Sequence, residues 1–382
     1  MSDLDLISRF LDNFRDFCRK EVSPYEGENP QIMDKALFQK LGKIGYLGLL
    51  HEEEFGGMNL GVVGATQVME VLGEVSGGVF LSGGASAGLF GLSIKHLGTL
   101  EQKKKYLPSI ISGDKIGCLG VTEPDSGSDV SAISTTVKEG SDGIYRLSGQ
   151  KTYITNAPYA DYALVLARFQ DKMGKDKGLT HFVVDLSISG IDRSKPMKKM
   201  GLETSATGAL YFDQAEIGGE ETVLGRLGKG FRQTMETFNL ERLSLAAWSL
   251  GLMNACVKES QSFSKSRKSF GKSILQHQSV GNLLAEMMTK TEATRAFTYQ
   301  VAKEIQDKEE ANESIMPLSA RCAMVKLFAT ESAREVANLA VQIHGGAGYM
   351  SEYAVSRYYR DIRLAEIGGG TSEIQKRIIV GA

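Results

Sequence analysis

The feature that most constrains this chain is a hydrophobic period that changes twice along its length. Residues 4–22, 34–47, 62–76, 84–97 and 101–112 repeat their apolar positions with helical spacing, separated by short Gly-containing breaks. From about Ile116 the pattern becomes that of short strands. IGCLGVT, TTVKEG, IYRLSG, YALVLAR, THFVVD and GALYFDQAEI are rich in β-branched and aromatic residues and punctuated by Asp142-Gly143 and Ser189-Gly190. After about Gly230 the helical period returns in longer runs, with apolar positions 284, 287, 291, 298, 301 and 305 in one and 318, 322, 325, 329, 336, 340 and 343 in the next. The expected fold class is therefore α+β and mostly α, with an N-terminal α-helical domain over 1–115, a middle β domain over 116–220 and a C-terminal α-helical domain over 221–382.

Composition narrows the function classes. Lys and Arg number 44 against 46 Asp and Glu, a net charge of -2, which gives no field for gripping nucleic acid. Cys18, Cys118, Cys256 and Cys322 form no CxxC pair and read as reduced core thiols rather than a disulfide or zinc framework. The five histidines show no metal-ligand spacing, so no metal site and no histidine catalyst are expected. An acidic N-terminus and the lack of an unbroken run of about 18 apolar residues point to a cytoplasmic protein with no membrane partner.

Five local motifs carry possible chemistry, each beside a plainer reading. Thr122 to Asp129, TEPDSGSD, packs hydroxyls and backbone donors into a turn that suits a carbonyl or anion, or is an ordinary β-turn. Tyr153 and Thr155 lie two apart, as a platform and donor for a planar heterocycle or as a half-buried strand face. Arg267, Phe270 and Gln278 offer a cation, a ring and an amide, in a ligand site or a solvated loop. Gln342-Ile343-His344-Gly345-Gly346 ends a helix with glycines that permit close approach, or simply stops it. Near the C-terminus, EIGGGTSEIQ reads as a glycine turn running into a helix whose capping box is Ser372 and Gln375. No G-x-G-x-x-G follows a strand, which argues against a conventional NAD site.

A sixth signal is a single carboxylate. On the helix spanning 234–256, Phe238, Glu241, Leu245, Trp248 and Leu252 fall on one face, and Glu241 interrupts an otherwise apolar stripe. A buried carboxylate is costly unless paired or used. The pattern alone leaves open a structural ion pair or a working base whose pKa burial has raised.

The order TEPDSGSD, GQKTYITN, RKSFGKSILQHQ, QIHGGAGYM, YRDIRLAEIGGGTSEIQKR resembles the acyl-CoA dehydrogenase family over nearly the whole chain. That resemblance implies an N-terminal helical domain, a middle β-barrel or sandwich domain and a C-terminal four-helix bundle, assembled as a homotetramer (a dimer of dimers). It implies noncovalent FAD, an acyl-CoA substrate, and electron-transfer flavoprotein as electron acceptor, in fatty acid or branched-chain amino acid catabolism. Carried over, Leu119, Val121, Thr122, Gly127 and Ser128 line the flavin, and Tyr153, Ile154 and Thr155 lie against its ring. Arg267, Phe270 and Gln278 hold the FAD of a neighbouring subunit. Gln342, Ile343, His344, Gly345, Gly346, Thr371, Ser372 and Glu373 complete the dinucleotide site. Ser128, Asn239, Arg242, Gly369 and Gly370 fall where the family contacts acyl-CoA. Tyr153 stands where many members have Trp.

Many members carry their catalytic Glu where this chain has Gly369. A subset that includes isovaleryl-CoA and long-chain acyl-CoA dehydrogenases instead carries it in an L-E-R motif on the bundle helix, which Leu240-Glu241-Arg242 matches. The resemblance thus implies Glu241 as catalytic base, taking the α-proton while flavin N5 accepts the β-hydride, on a short- or branched-chain acyl-CoA that becomes the trans-2-enoyl-CoA. The alternatives are an enoyl-CoA reductase or acyl-CoA oxidase on the same site, or a catalytically silent flavoprotein scaffold.

Overall fold

The computed structural model describes residues 3–381, with side chains from residue 7. The first lobe is helical: α1 (Asp3–Phe17), α2 (Lys35–Lys43), α3 (Gly61–Gly73), α4 (Gly77–Gly83), α5 (Leu92–Leu97) and α6 (Leu100–Ile111). Its helix starts are written in the sequence. Asp34 accepts from Leu37 N at 2.9 Å, and Thr99 and Gln102 form a reciprocal capping box at 3.0 and 3.2 Å. Phe14, Leu37, Leu41, Leu72 and Leu107 fill the lobe's interior.

Between α4 and α5 the helix continues through π-helical turns, Gly84–Gly91, so that 77–97 is unbroken. Lys95, His96 and several glycines and serines interrupt any purely apolar run, yet this stretch is 21 residues long with a hydropathy of 1.4, enough by length and composition to cross a bilayer. It is instead a core helix, 78% buried over its most apolar window. The wider π turns occur where small residues leave room, and at Gly84 and Gly88 a β-carbon would meet no atom within 4 Å.

The middle region is one sheet of β1 (Gly117–Gly120), β2 (Thr136–Glu139), β3 (Tyr145–Thr155), β4 (Tyr162–Gln170), β5 (Asp176–Asp185), β6 (Ile191–Arg193), β7 (Thr207–Gly218) and β8 (Val223–Leu224). The strand order is β6-β7-β3-β2-β4-β5-β8, and β1 runs parallel beside β4 at Gly117–Gly120 where β2 does so further along. Central position explains the ALVLA run of β4. Ala163, Leu164, Val165, Leu166 and Ala167 are all fully buried, so both faces of the strand are apolar and alternation disappears.

The TEPDSGSD turn is anchored from inside by an ion pair that the sequence did not reveal. Lys151 Nζ of β3, fully buried, donates to Glu123 Oε1 at 2.8 Å and to the Val121 carbonyl at 3.0 Å. Glu123 also accepts from the backbone and hydroxyl of Ser134 and from Thr135 N. Burial opposes its ionisation, but these donors outweigh burial and hold its carboxyl down to about 2.

The last lobe is built from α7 (Gly230–Ser266), α8 (Gln278–Glu310), α9 (Ser319–His344), α10 (Ala354–Ile362) and α11 (Ser372–Val380). α9 lies among α7, α8 and α11, and its buried alanines 323, 329, 333, 337 and 340 let those helices approach closely. Asn239 meets Ser319 at one end and Phe263 stacks on His344 at the other, so α7 and α9 run in the same direction. Arg295 of α8 reaches Asn254 of α7 and Met288 meets Gln261, so α8 runs antiparallel to α7. All four cysteines are buried and unpaired.

Candidate active site

A cavity of about 1220 Å³ opens where the three lobes meet. The sheet contributes Leu119, Val121, Thr122, Gly127, Ser128, Tyr153, Ile154 and Thr155; α7 contributes Glu241 and Arg242; the C-terminal turn contributes Gly369, Gly370 and Thr371. The π-helical stretch supplies one wall through Gly84 and Gly88. Residues from Gly84 to Thr371 are thereby brought to one surface, as three lobes packed on a shared core would do.

Tyr153 departs from the regular strand that alternation predicts. Its φ is 58°, in the left-handed region that is costly for an aromatic residue, and the pairing of β3 with β7 slips between Lys151 and Ile154. The consequence is that Tyr153, Ile154 and Thr155 all border the cavity instead of taking alternate faces, and the Tyr153 ring is 70% exposed toward it. Gly127 has open space where a side chain would stand. An exposed ring beside a hydroxyl strand end and a bare backbone turn fits a planar heterocycle such as a flavin.

The cavity also holds a carboxyl from α7. Glu241 keeps part of its surface open to the cavity, whereas its Oε2 is cut off from solvent and has no hydrogen-bond partner. Burial pushes its carboxyl up to about 7, against the pull of Arg242 and Lys326. Gly369 faces it directly. A β-carbon at 369 would stand 3.4 Å from Glu241 Cδ and 3.5 Å from its Oε2, but only 2.8 Å from Leu245 Cδ1. The carboxyl of Glu241 thus occupies the space into which a side chain from 369 would project. Gly369 and Gly370 have φ of 62° and 87°, conformations that suit glycine. Among the described residues their N–H groups find no protein acceptor.

Several expectations are corrected here. Thr371, not Ser372, caps α11, accepting from Ile374 N at 3.3 Å, so no Ser372–Gln375 capping box exists. Gln375 reaches back past the cap to donate to the carbonyls of Gly369 at 3.0 Å and Gly370 at 2.7 Å. Asn239 is fully buried and absent from the cavity wall. It accepts from Arg242 Nη1 at 2.6 Å and donates to Ser319 Oγ at 3.0 Å, and so orients the arginine. Ser372 and Glu373 border a separate hollow with Glu331, Arg334 and Glu366.

The remaining positions lie elsewhere. Arg267, Phe270, Gln278 and the segment Gln342 to Gly346 gather where α7 ends, α8 begins and α9 ends, apart from the cavity of this chain. Phe270 is 94% exposed there, while His344 is buried against Phe263. Lys326 of α9, fully buried with its Nζ 2.7 Å from the Gly370 carbonyl, joins the site without a motif to mark it. Its signal was the one that marked Glu241, a charge interrupting the buried face of a helix.

Family models for the N-terminal, middle and C-terminal domains of acyl-CoA dehydrogenase match residues 7–114, 118–215 and 228–382. A 3-(aryl)acrylate reductase of Clostridium sporogenes is 36% identical over 96% of this chain and 95% of its own. A mitochondrial isovaleryl-CoA dehydrogenase of Oryza sativa is also 36% identical, over 98% of this chain and 90% of that protein. Butyryl-CoA dehydrogenase from Megasphaera elsdenii superposes with a TM-score of 0.91 at 33% identity, covering 99% of this chain and 97% of the other. With three lobes in the same order and a match along almost its whole length, this chain belongs to the acyl-CoA dehydrogenase family, a family of FAD-dependent oxidoreductases.

Proposed function

We propose that this protein removes the α and β hydrogens of a short- or branched-chain acyl-CoA, with Glu241 as the base. The observation that carries the reading is the meeting of Glu241 and Gly369: an unpartnered carboxyl, pushed up to about 7, fills the space beside the turn where the family otherwise places its Glu. A base poised near neutral pH suits a weakly acidic α-proton.

Leu119, Val121, Thr122, Gly127, Ser128, Tyr153, Ile154 and Thr155 would hold the flavin end of FAD, with Tyr153 as the platform for its ring. Bound there, FAD supplies the acceptor for the β-hydride. This chain's residues manage the other half of the reaction. The free N–H groups of Gly369 and Gly370 are available to polarise the thioester carbonyl, which acidifies the α-carbon. Glu241 takes the proton, the α C–H electrons become the second bond between the α and β carbons, and trans-2-enoyl-CoA forms. Arg242, fixed by Asn239, places positive charge beside the carboxylate and favours its ionised form.

Arg267, Phe270 and Gln278 serve the FAD of a neighbouring subunit in a homotetramer in this reading, Gln342 to Gly346 and Thr371 to Glu373 complete the dinucleotide site, and electron-transfer flavoprotein receives the electrons. Phe270, almost wholly exposed, is the observation that favours a subunit contact there. The same site working in reverse as an enoyl-CoA reductase is favoured by the reductase name of one relative, since identical groups serve both directions.

Anaerobic titration of the purified flavoprotein with isovaleryl-CoA and a series of straight-chain acyl-CoAs, wild type beside Glu241→Gln, tests the reading. The flavin band should bleach in the wild type and stay unbleached in the variant with FAD retained. Equal bleaching in both removes Glu241 from the mechanism. Reoxidation of reduced enzyme by enoyl-CoA without forward bleaching would favour the reductase.

A further inference from the structure

We infer that Lys326 is a positioning residue for this reaction, holding the Gly369–Gly370 turn against Glu241 and supplying the positive charge that keeps the base ionisable. The inference rests on Glu241 being the base. It starts from an imbalance: Lys326 is fully buried, yet among the described residues it has no carboxylate within 4.0 Å. Its one hydrogen bond goes to the Gly370 carbonyl at 2.7 Å, an oxygen that Gln375 Nε2 already satisfies at 2.7 Å. Burying an ammonium merely to give a second bond to a satisfied carbonyl is a poor exchange for stability.

The turn explains why two clamps are present. Gly368, Gly369 and Gly370 have no side chains to restrict them, and the last two sit at positive φ. Gln375 pins the Gly369 carbonyl, and Lys326 with Gln375 pins that of Gly370. Because each peptide unit is planar and trans, fixing a carbonyl also aims the N–H on the other side of that unit. The clamps therefore set the direction of the Gly370 and Thr371 amides and hold Gly369 against Glu241.

Charge supplies the second role. Glu241 faces Arg242 on its own helix and Lys326 on α9; Lys326 in turn faces Glu241 and Arg242 on α7, Glu331 on α9, and Glu366 before the glycine turn. Glu366 is already paired with Arg334 and Arg363, and Glu331 with Lys376, which leaves Glu241 as the unpaired carboxyl in reach of the lysine's field. Burial pulls Lys326 down to about 8, so it is still cationic at neutral pH, where Glu241 titrates.

The test compares Lys326→Met and Lys326→Gln with wild type as FAD-loaded enzymes, following flavin bleaching by isovaleryl-CoA, or by whichever straight-chain acyl-CoA bleaches best, across pH. Loss of the charge should move the acidic limb of the bleaching rate to higher pH in both variants. The saturating rate should fall about tenfold or more in Lys326→Met, less in Lys326→Gln, with the acyl-CoA dissociation constant held within about threefold. A wild-type rate and limb in Lys326→Met overturns the inference, and so does failure of both variants to retain FAD, which would make the lysine structural only. Should no acyl-CoA bleach the wild type, reoxidation of the reduced enzyme by enoyl-CoA gives the same comparison, the alkaline limb moving upward in the variants. An active Glu241→Gln sinks the underlying reading; an inactive Glu241→Gln beside an unchanged Lys326→Met sinks this inference alone.

Discussion

At the scale of single residues, Glu241 and Gly369 form one device. Glu241→Gln should lower the flavin-bleaching rate by about 10²- to 10⁴-fold, the range of a general base, with little change in acyl-CoA affinity. The same carboxyl should cost stability where it is charged. Its pKa is raised from 4.5 to about 7 on folding, so between those values the unfolded chain binds fewer protons and stability falls as pH rises. Glu241→Gln should therefore melt at a higher temperature than wild type at pH 8 and show no such gain at pH 5, measured by thermal denaturation of the FAD-loaded protein. Moving the base to the turn needs more than a swap. Glu241→Gly with Gly369→Glu should bleach the flavin well below the wild-type rate, because position 369 has a φ of 62°, which strains any residue but glycine, while Leu245 Cδ1, 2.8 Å from the new β-carbon, can swing aside. A wild-type rate in the double variant would contradict that backbone argument. Glu241 could be found in the sequence because it breaks a stripe; the unpartnered Oε2 and the nearness of Gly369 could not, since they depend on two segments about 130 positions apart.

Elements show which patterns report structure and which do not. The long helices, the capped starts at Asp34 and Thr99 and the buried strand ALVLA follow from local spacing. The kink at Tyr153 and the π turns at Gly84–Gly91 do not: the first goes with a register slip against β7, and the second lies where small residues border the open cavity between lobes. The cap of α11 shows the same limit. Thr371 and Ser372 are both good caps; Thr371 is the one with the extended backbone of a cap, while Gln375 turns back to the glycine carbonyls. The Lys151–Glu123 pair ties β3 to the turn that borders the cavity. Lys151→Met should destabilise the protein by about 3–5 kcal/mol by leaving a buried carboxylate unpaired, read from urea denaturation. Since folding depresses the Glu123 pKa from 4.5 to about 2, its contribution is present above pH 4.5 and lost as pH falls toward 2. A variant as stable as wild type at pH 7 would show that the pair contributes nothing.

Across the whole molecule, the double change of hydrophobic period made the three-lobe order legible, because each lobe's own core imposes its own spacing. The cavity was legible only through the family's motif order, since it belongs to no lobe alone. Positions 267, 270, 278 and 342–346 lie away from that cavity and belong, in the proposed reaction, to a subunit contact. Phe270→Asp should then weaken both assembly and FAD retention, seen as a lower mass by light scattering and a fall in flavin content. An intact tetramer with full flavin would contradict the assignment. The central claim, that Glu241 moves the α-proton, is tested most directly by solvent-deuterium exchange into the α-carbon of bound acyl-CoA under anaerobic conditions, a measurement indifferent to the direction of the overall reaction. The account predicts exchange that depends on a group titrating near pH 7 and disappears in Glu241→Gln; exchange persisting in that variant at the wild-type rate would contradict it.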